Sequence, residues 1–215
     1  MAVCVALAGA LAAVTGAGEQ QALAVIIKAK GSVLYQVPGG SAWAPAAAGQ
    51  TILAGGQVKT EADGLAMVKF LSDGSMMKLK PQTHLTFEAR DKGGLLLSMG
   101  AALFDVQKSG AKDKFTVTTP TSVATVKGTS FWVTSRGDSA SMIATLDGVV
   151  TVKSRATGKS KDVKRGNTAV CDQAGITVRA TRTEDLPEQE QELEFRFKDG
   201  SGNTKTLRID AAQEQ

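Results

Sequence analysis

The sequence contains little of the chemistry on which most enzymes and metal sites depend. Its 215 residues include one histidine, His84, and two cysteines, Cys4 and Cys171. A single histidine excludes a histidine-rich metal site and leaves no identifiable partner for a histidine-dependent catalytic triad. A phosphate-binding loop, a dinucleotide fingerprint and the spacing of zinc ligands are also missing. We therefore expect a protein that is not an enzyme and that uses no metal and no cofactor.

Helical periodicity and aromatic residues are scarce as well. Aromatic side chains make up 5% of the chain, whereas glycine occurs 23 times. After Val25 the apolar residues alternate or form short runs, which is the pattern of β-strands. Asp-Gly pairs at 63–64, 73–74 and 147–148 supply tight turns, and the last pair predicts a hairpin. The sequence thus predicts an all-β fold of many short antiparallel strands, either a twisted sandwich or jelly roll or a β-solenoid.

Residues 1–24 have the layout of a secretory signal peptide, although no Lys or Arg precedes the apolar run. From Ala2 to Val14 the chain is uncharged and too short to span a bilayer, and Ala22-Leu23-Ala24 supplies the small residues of a cleavage site. Val3 stands where a lipoprotein site has Gly, Ala or Ser, which argues against acylation of Cys4. No later stretch is apolar enough for a transmembrane segment, so we expect an exported protein, periplasmic or extracellular.

Removal of residues 1–24 leaves Cys171 as the only cysteine. An intramolecular disulfide is then impossible. Cys171 follows Thr168-Ala169-Val170 in a predicted strand. We therefore predict that it is a small buried core residue and not a reactive nucleophile.

Charge divides the chain into a basic body and an acidic end. Residues 183–215 contain nine acidic and four basic side chains, a net charge of −5, which leaves +9 for the rest because the whole chain carries +4. We predict a β domain over residues 25–182, an acidic linker over 183–191 and a C-terminal hairpin or tail over 192–215. The hairpin is predicted because apolar residues alternate on both sides of Gly200-Ser201-Gly202-Asn203.

Several segments, taken in order, resemble FecR domains. They are Trp43-Ala44-Pro45, Gly55 to Thr60, Gly64 to Ser75, Leu79-Lys80-Pro81, Phe115 to Pro120, Ala124 to Phe131, Asp147 to Val152 and Lys164-Arg165-Gly166. The resemblance spans about Lys28 to Ala174. It implies structural roles for the motif residues Pro120, Lys127, Gly128, Thr129, Phe131, Asp147 and Gly148.

Three of these motif residues have roles that follow from their chemistry. Gly128 is expected to adopt a positive φ, and the hydroxyl of Thr129 to bond a neighbouring backbone group. Phe131 is expected to lie in the core. Lys127 stands where the family usually has arginine, and it preserves the charge.

The resemblance also implies a role in regulation. In the iron-transport regulators of this family, the domain lies in the periplasm and relays the state of a transporter to a sigma factor. That role needs a cytoplasmic segment and a membrane helix ahead of the domain, and this sequence shows neither. We therefore expect a stand-alone, bacterial, exported module that acts in signal transduction at the cell envelope. It is expected to bind a protein partner, by strand addition to a sheet edge.

A polysaccharide-binding module is the alternative. Trp43 and Trp132 are candidate stacking platforms for a sugar, although such residues more often cover a core. A cluster of basic residues favours an anionic envelope polymer over nucleic acid, which is not expected outside the cytoplasm. The cluster consists of Lys153, Arg155, Lys159, Lys161, Lys164 and Arg165.

Catalysis by a carboxylate-dependent glycosidase is the third hypothesis. It needs two acidic side chains about 5–10 Å apart in a cleft. The candidates are Asp73, Asp105, Asp138 and Asp147, all at predicted turns or strand ends, where aspartate is common for backbone reasons. His84 is expected to be a surface residue of a strand.

Overall fold

The computed structural model describes residues 21–88, 94–108, 114–187, 195–198 and 204–207. Most of these residues lie in strands, and the helical element among them is a 3-10 turn at Thr183–Asp185. The first strands are β1 (Ala22–Lys30), β2 (Val33–Gln36), β3 (Ala44–Pro45), β4 (Thr51–Leu53), β5 (Gln57–Thr60), β6 (Leu65–Phe70), β7 (Met76–Leu79), β8 (Thr83–Phe87) and β9 (Gly94–Asp105). The later strands are β10 (Phe115–Thr118), β11 (Ser122–Val126), β12 (Ser130–Arg136), β13 (Ala140–Asp147), β14 (Val149–Ser154), β15 (Ser160–Lys164), β16 (Asn167–Asp172), β17 (Gly175–Ala180), β18 (Phe195–Lys198) and β19 (Thr204–Leu207).

The pairings of β1 to β17 define two sheets that share one strand. Sheet I has the order β4-β1-β6-β7-β9-β12-β13-β16-β17. Sheet II has the order β3-β2-β5-β8-β9-β10-β11-β14-β15. All of these pairs are antiparallel except β9 with β10. The chain places successive strands or hairpins in alternating sheets.

Strand β9 belongs to both sheets because it bends in its middle. Its first half pairs with β8 and β10, and its second half pairs with β7 and β12. Gly100 lies at the bend with φ of +95°. A Cβ atom at this position would lie 2.5 Å from the Cα atom of Thr83, so the crossing requires glycine.

One hydrophobic core lies between the sheets. Ile26, Val68 and Phe104 of sheet I and Val58 and Leu85 of sheet II belong to the same cluster of buried side chains. The strands bury alternate residues, as β8 buries Thr83, Leu85 and Phe87, because successive side chains point to opposite faces. The structure is therefore a two-layered sandwich whose layers are built by alternating hairpins. The predicted all-β fold is confirmed.

A group of phenylalanines ties the two layers together. The ring of Phe115 in sheet II lies 5.2 Å from that of Phe70 and 5.9 Å from that of Phe104, both in sheet I. Phe131 is fully buried and stacks on Phe104 at 5.2 Å. Burial of each such side chain stabilises the fold by about 1.5–3 kcal/mol. The core position expected for Phe131 is confirmed.

The hairpin predicted at Asp147-Gly148 is wrong. β13 pairs with β12 and β16 in sheet I, whereas β14 pairs with β11 and β15 in sheet II. Gly148, with φ of +80°, therefore turns the chain from one layer to the other. The apolar pattern on both sides of the turn fits either outcome, because it specifies burial and not the pairing partner.

Both ends of the described domain differ in detail from the sequence-based boundaries. β1 begins at Ala22 and includes the fully buried Ala24, which pairs with Ile52 and Phe70. Residues 1–20, most of the predicted signal peptide, lie outside the described residues. At the other end the predicted C-terminal hairpin is present, with β18 antiparallel to β19. The predicted linker starts with the 3-10 turn, and its residues from 188 onward lie outside the described residues.

Cys171 is a buried core residue of β16, as predicted. Burial, together with the nearby Asp172 carboxylate, raises the pKa of its thiol to about 11. The thiol is therefore protonated at neutral pH and is a poor nucleophile.

Candidate functional site

Most residues of the FecR-like motif lie at one end of sheet I, where β12 begins and β13 ends. Thr129 exchanges two backbone hydrogen bonds with Val106, of 3.0 and 3.1 Å, and its hydroxyl donates to the carbonyl of Val149 at 3.2 Å. Gly128 has the positive φ that was predicted, +74°. A Cβ atom there would lie 2.1 Å from Cγ of Lys108. These contacts position the chain and do not converge on a ligand.

The two remaining motif residues outside the core lie at opposite ends of β11, with Lys127 beside Gly128 and Pro120 at the far end of the sandwich. Lys127 is exposed, and Pro120 is half-buried in the turn between β10 and β11. That turn is fixed by hydroxyl groups, since Thr119 Oγ1 accepts from the Ser122 N–H at 2.9 Å. Ser122 Oγ lies 2.7 Å from Ser141 Oγ of sheet I. The hydroxyl contacts join the two layers at this end of the sandwich.

Asp105 and Asp147 are two candidate carboxylates that the strands bring close to each other. Both pair with Ser130, from β9 on one side and β13 on the other. Burial, and to a lesser degree the charge of Asp147, raises the pKa of Asp105. Asp147 itself is exposed. In the described part of the chain, no group of three acidic, histidine or cysteine residues has the geometry to hold a metal ion.

The other two candidate carboxylates serve turns. Asp73 accepts hydrogen bonds from the N–H and the hydroxyl of Ser75, at 2.9 and 2.7 Å, in the hairpin between β6 and β7. Asp138 lies in the turn between β12 and β13, at the opposite end of those strands from Asp147. These backbone roles agree with the reason for which aspartate is common in turns.

The outer face of sheet II carries a connected set of polar and aromatic side chains. Nε2 of His84 lies 2.8 Å from Oε1 of Gln57, and Nε2 of Gln57 donates to Oε1 of Gln36 at 2.9 Å. The indole of Trp43 meets the imidazole edge-on, with ring centroids 5.5 Å apart. Trp43 and His84 are half-buried, while Gln36 is 8% exposed. We call Trp43, Gln36, Gln57 and His84 the relay face.

The relay face is electrically balanced. Lys59, the direct cross-strand neighbour of His84, forms an ion pair of 2.8 Å with Glu61. Burial and then the positive charge of Lys59 lower the pKa of His84, so the imidazole is neutral at pH 7. When Nε2 of His84 carries the proton, it donates to the side-chain carbonyl of Gln57. This bond orients the Gln57 amide, whose N–H in turn orients the amide of Gln36.

Trp132 lies on the outer face of sheet I, and not on a surface that a sugar can reach. It is 4% exposed and packs with Leu103 and Ala144. Its Nε1 is buried without a hydrogen-bond partner among the described residues. Leu186, from beyond β17, packs on the same cluster. Trp132 therefore has no free ring face, and the prediction that it is a stacking platform is wrong.

The segment Thr181–Pro187, which we call the strap, crosses the outer face of sheet I. The residues beneath it form one cross-strand row, in which each is the direct partner of the next: Leu103, Trp132, Ala144, Thr168 and Arg179. The hydroxyl of Thr168 bonds that of Thr181 at 3.0 Å. Arg179 binds the buried carboxylate of Asp185. The strap thereby fixes the chain after β17 to the body of the domain.

The predicted basic cluster does not form one patch. Lys153 and Lys164 share the outer face of sheet II, but Asp162 lies between them and accepts from Thr151 at 2.7 Å. Lys161 is opposite the buried Val152 and so points to the other side of the strand. The remaining members are exposed residues of the turns beside β14 and β15, and Arg155 donates to the carbonyl of Thr119. They are Arg155, Lys159 and Arg165.

Four strands form the edges of the two sheets in the described part of the chain. β3 and β4 have two and three residues, which is too short to template a further strand. β15 exposes Lys161, Asp162 and Lys164, and such charges are a common protection of sheet edges. β17 has six residues and includes the half-buried Ile176 and Val178. It is the edge best suited to pair with another chain.

Sequence reasoning missed the relay face and the strap. Gln36, Gln57 and His84 are far apart in the sequence and give no local signal, because their contacts depend on the register of three strands. Asp185 was assigned to an acidic linker, and its buried ion pair with Arg179 is visible only in the folded chain. Among the described residues, no helix has the length and the apolar character of a membrane span.

Comparison with known proteins identifies the domain. Residues 56–151 match the family model described as FecR protein. No curated protein matches the chain significantly. Two crystal structures of a candidate anti-sigma factor from Parabacteroides distasonis, at 2.50 and 1.65 Å resolution, are similar in fold. Each has 19% sequence identity and a TM-score of 0.51, and the match covers 58% of this chain and 59% of that chain.

The family match runs from the start of β5 into β14. The strands outside it, β1 to β4 and β15 to β17, complete the same two sheets. The match is narrower than the span from Lys28 to Ala174 over which the sequence resembles the family, and it contains the motif from Pro120 to Gly148. The chain therefore contains a FecR domain, matched over residues 56–151.

Proposed function

We propose that this protein is a non-catalytic, exported regulatory module of the cell envelope that binds another protein along β17. The observation that carries the proposal is the open, weakly charged edge of sheet I. Within the described residues, β17 pairs with β16 and with no other strand. Its side chains are Ile176, Thr177, Val178, Arg179 and Ala180 after an initial glycine.

Backbone groups are available along this edge. In an antiparallel pair, alternate residues direct their N–H and C=O groups toward the neighbouring strand. The N–H of Thr181 donates to the carbonyl of Gly166 at 2.9 Å, which places Thr177 and Arg179 among the residues that bond β16. Ile176, Val178 and Ala180 therefore direct their backbone groups outward. A partner strand would gain hydrogen bonds to Ile176 and Val178 and would contact their apolar side chains, whereas the carbonyl of Ala180 already accepts from Nη1 of Arg179 at 3.2 Å.

A regulatory role is supported by the family and by the fold. FecR domains take part in signalling at the envelope, and the structurally similar Parabacteroides protein is named as a candidate anti-sigma factor. Proteins of that class act by binding another protein. Export is supported by the uncharged apolar run from Ala2 to Val14. A catalytic role has less support, because Asp147, the neighbour of the half-buried Asp105, is exposed, and Asp73 is bonded within a turn.

Affinity purification of proline variants tests the proposal. Val178→Pro removes an outward N–H group from β17, and proline at such an edge position leaves the bonds to β16 in place. Lys164→Pro makes the matched change on the charged edge strand β15. The tagged protein, crosslinked in intact cells, is expected to retain a specific envelope protein in the wild-type and Lys164→Pro forms and to lose it in Val178→Pro. Equal recovery from both variants, or no protein partner at all, would overturn the proposal.

A further inference from the structure

We propose that the relay face of sheet II is a binding site for a neutral polysaccharide. This site is separate from the β17 edge, and it goes beyond the proposed regulatory function. The proposal depends on three features of Trp43, Gln57 and His84: a partly exposed aromatic ring, oriented hydrogen-bonding groups and the absence of net charge.

The aromatic ring provides a platform. The imidazole of His84 contacts the indole of Trp43 edge-on at 5.5 Å and so restricts its orientation. Trp43 is half-buried, which leaves part of its surface accessible. The electron-rich face of an indole attracts the weakly positive C–H groups on the flat side of a sugar ring. An indole that is already fixed loses little conformational entropy when a ligand stacks on it.

The amides beside the platform are oriented before a ligand arrives. His84 fixes the carbonyl of Gln57, and Gln57 in turn uses one N–H to bond the side chain of Gln36. An amide has two N–H donors and two acceptor lone pairs, so Gln57 has one of each left for a ligand. Sugar hydroxyl groups both donate and accept, and they require both kinds of partner at fixed positions.

The charge balance selects an uncharged ligand. Lys59 is the cation nearest to His84 in the strand register, and Glu61 neutralises it at 2.8 Å. His84 is itself neutral, for the reasons given above. The exposed basic residues of this sheet lie on β14, on β15 and in the turns beside them, across β9, β10 and β11 from the relay face. An anionic polymer therefore gains little at the relay face, whereas a neutral sugar loses no solvated charge on binding.

The site lies open along the sheet. Leu34, Lys59, His84 and Met99 form one cross-strand row, and Met99 at the end of the row is 50% exposed. Strands are spaced at ~4.8 Å, so the row extends across roughly 14 Å. A row of this length accommodates more than one sugar ring. The shape suits an internal segment of a polymer better than a single sugar.

The two tryptophans make a direct test possible. In a Trp132→Phe variant, Trp43 is the only tryptophan, so fluorescence reports the relay face alone. We expect its emission to shift on titration with at least one of laminarin, mannan and dextran, and not with the anionic polymer alginate. Native gels that contain the same polysaccharides should retard the wild-type protein. Trp43→Ala and Gln57→Ala should each weaken this retardation by about tenfold, a loss of about 1.4 kcal/mol.

Thr125→Ala is the matched control. Thr125 lies on the outer face of the same sheet, paired with Thr116 and Thr151, away from the relay face. The Thr125→Ala variant should bind the neutral polysaccharides as the wild type does. Thermal melts identify any variant that has lost its fold, and Gln57→Ala leaves the indole in place if Trp43→Ala is unstable. The proposal is overturned if none of the three neutral polysaccharides is bound, if both variants bind as the wild type does, or if alginate binds equally well.

Discussion

Arg179 holds the carboxylate of Asp185 through two contacts, of 2.5 and 2.6 Å, and so anchors the strap to sheet I. Asp185 is 2% exposed. It also accepts a hydrogen bond of 2.8 Å from the backbone N–H of Arg182. The pair closes the 3-10 turn over the row of residues that contains Trp132. A surface that sequence reasoning left open to a ligand is in this way covered by the chain itself.

Replacement of Asp185 should loosen the strap. In Asp185→Asn the guanidinium of Arg179 loses its counterion, and the turn loses its strongest acceptor. We expect the melting temperature to fall by roughly 2–6 °C. Emission from Trp132 should shift to longer wavelength because water gains access to the indole. Glu184→Gln is the control, since Glu184 is exposed and pairs with the exposed Arg182. If Trp132 emission is unchanged in Asp185→Asn, the strap does not cover this residue.

The contribution of Asp185 should depend on pH. Burial alone raises the pKa of this carboxyl, but hydrogen bonds from Arg179, Arg182 and Thr168 outweigh burial and hold the pKa below the ordinary value of 3.8. Because the pKa is depressed in the folded state, the stabilisation is complete above the unfolded value and is lost as pH falls through the folded value. The difference in free energy of unfolding between wild type and Asp185→Asn should be constant from about pH 5 to 7. It should shrink below pH 4, and a difference that grows on acidification would contradict this assignment.

A methyl group at the motif glycine should be strongly destabilising. Gly128→Ala combines a positive φ with a Cβ atom 2.1 Å from Cγ of Lys108. Gly166→Ala has the same strain without the collision, since φ is +78° and nothing lies within 4 Å. We expect a loss of about 1 kcal/mol for Gly166→Ala and about 2 kcal/mol or more for Gly128→Ala, measured by denaturant unfolding. Equal losses would show that the approach of Lys108 has no structural role.

The proposed exported form of the protein should retain Gln21 to Ala24. The carbonyl of Gln21 accepts from the N–H of Ala54 at 2.9 Å, and that of Leu23 accepts from the N–H of Leu71 at 3.0 Å. Cleavage after Ala24, as the small-residue pattern predicts, would remove these bonds and the buried Ala24, which lies between β4 and β6 in sheet I. We expect signal cleavage on the N-terminal side of Gln21. Intact-mass measurement of the exported form distinguishes cleavage before Gln21 from cleavage after Ala24. A chain that begins at Val25 would contradict our expectation.

The sequence predicts the class of fold well and its connections poorly. Alternating burial in β5, β6 and β8 follows from the residue pattern, because one face of each strand meets the core. The pattern says nothing about which strands pair. Asp73-Gly74 joins a true hairpin, whereas Asp147-Gly148 carries the chain between layers, although the two dipeptides are identical. The residue pattern does not predict the bend of β9 at Gly100 either, since this bend depends on the close approach of Thr83.

The candidate sites likewise contain features that the sequence predicts and features that it does not. Motif residues with local roles, such as Gly128 and Thr129, are understood from their own chemistry. The two tryptophans look alike in the sequence, but long-range contacts give them opposite environments, with Trp43 half-buried beside His84 and Trp132 covered by Leu186. Basic residues that are close in sequence diverge in space because alternate residues of β15 point to opposite faces.

Site-specific photocrosslinking from Thr177 in intact cells is the most direct measurement of binding along β17. Thr177 is exposed and its neighbours direct backbone groups outward, so a crosslinker there lies beside any added strand. The same crosslinker at the exposed Asp162, on β15, is the matched control. We predict one dominant envelope-protein adduct from position 177 and none from position 162. The same adduct from both positions, or none from position 177, would contradict binding at this edge.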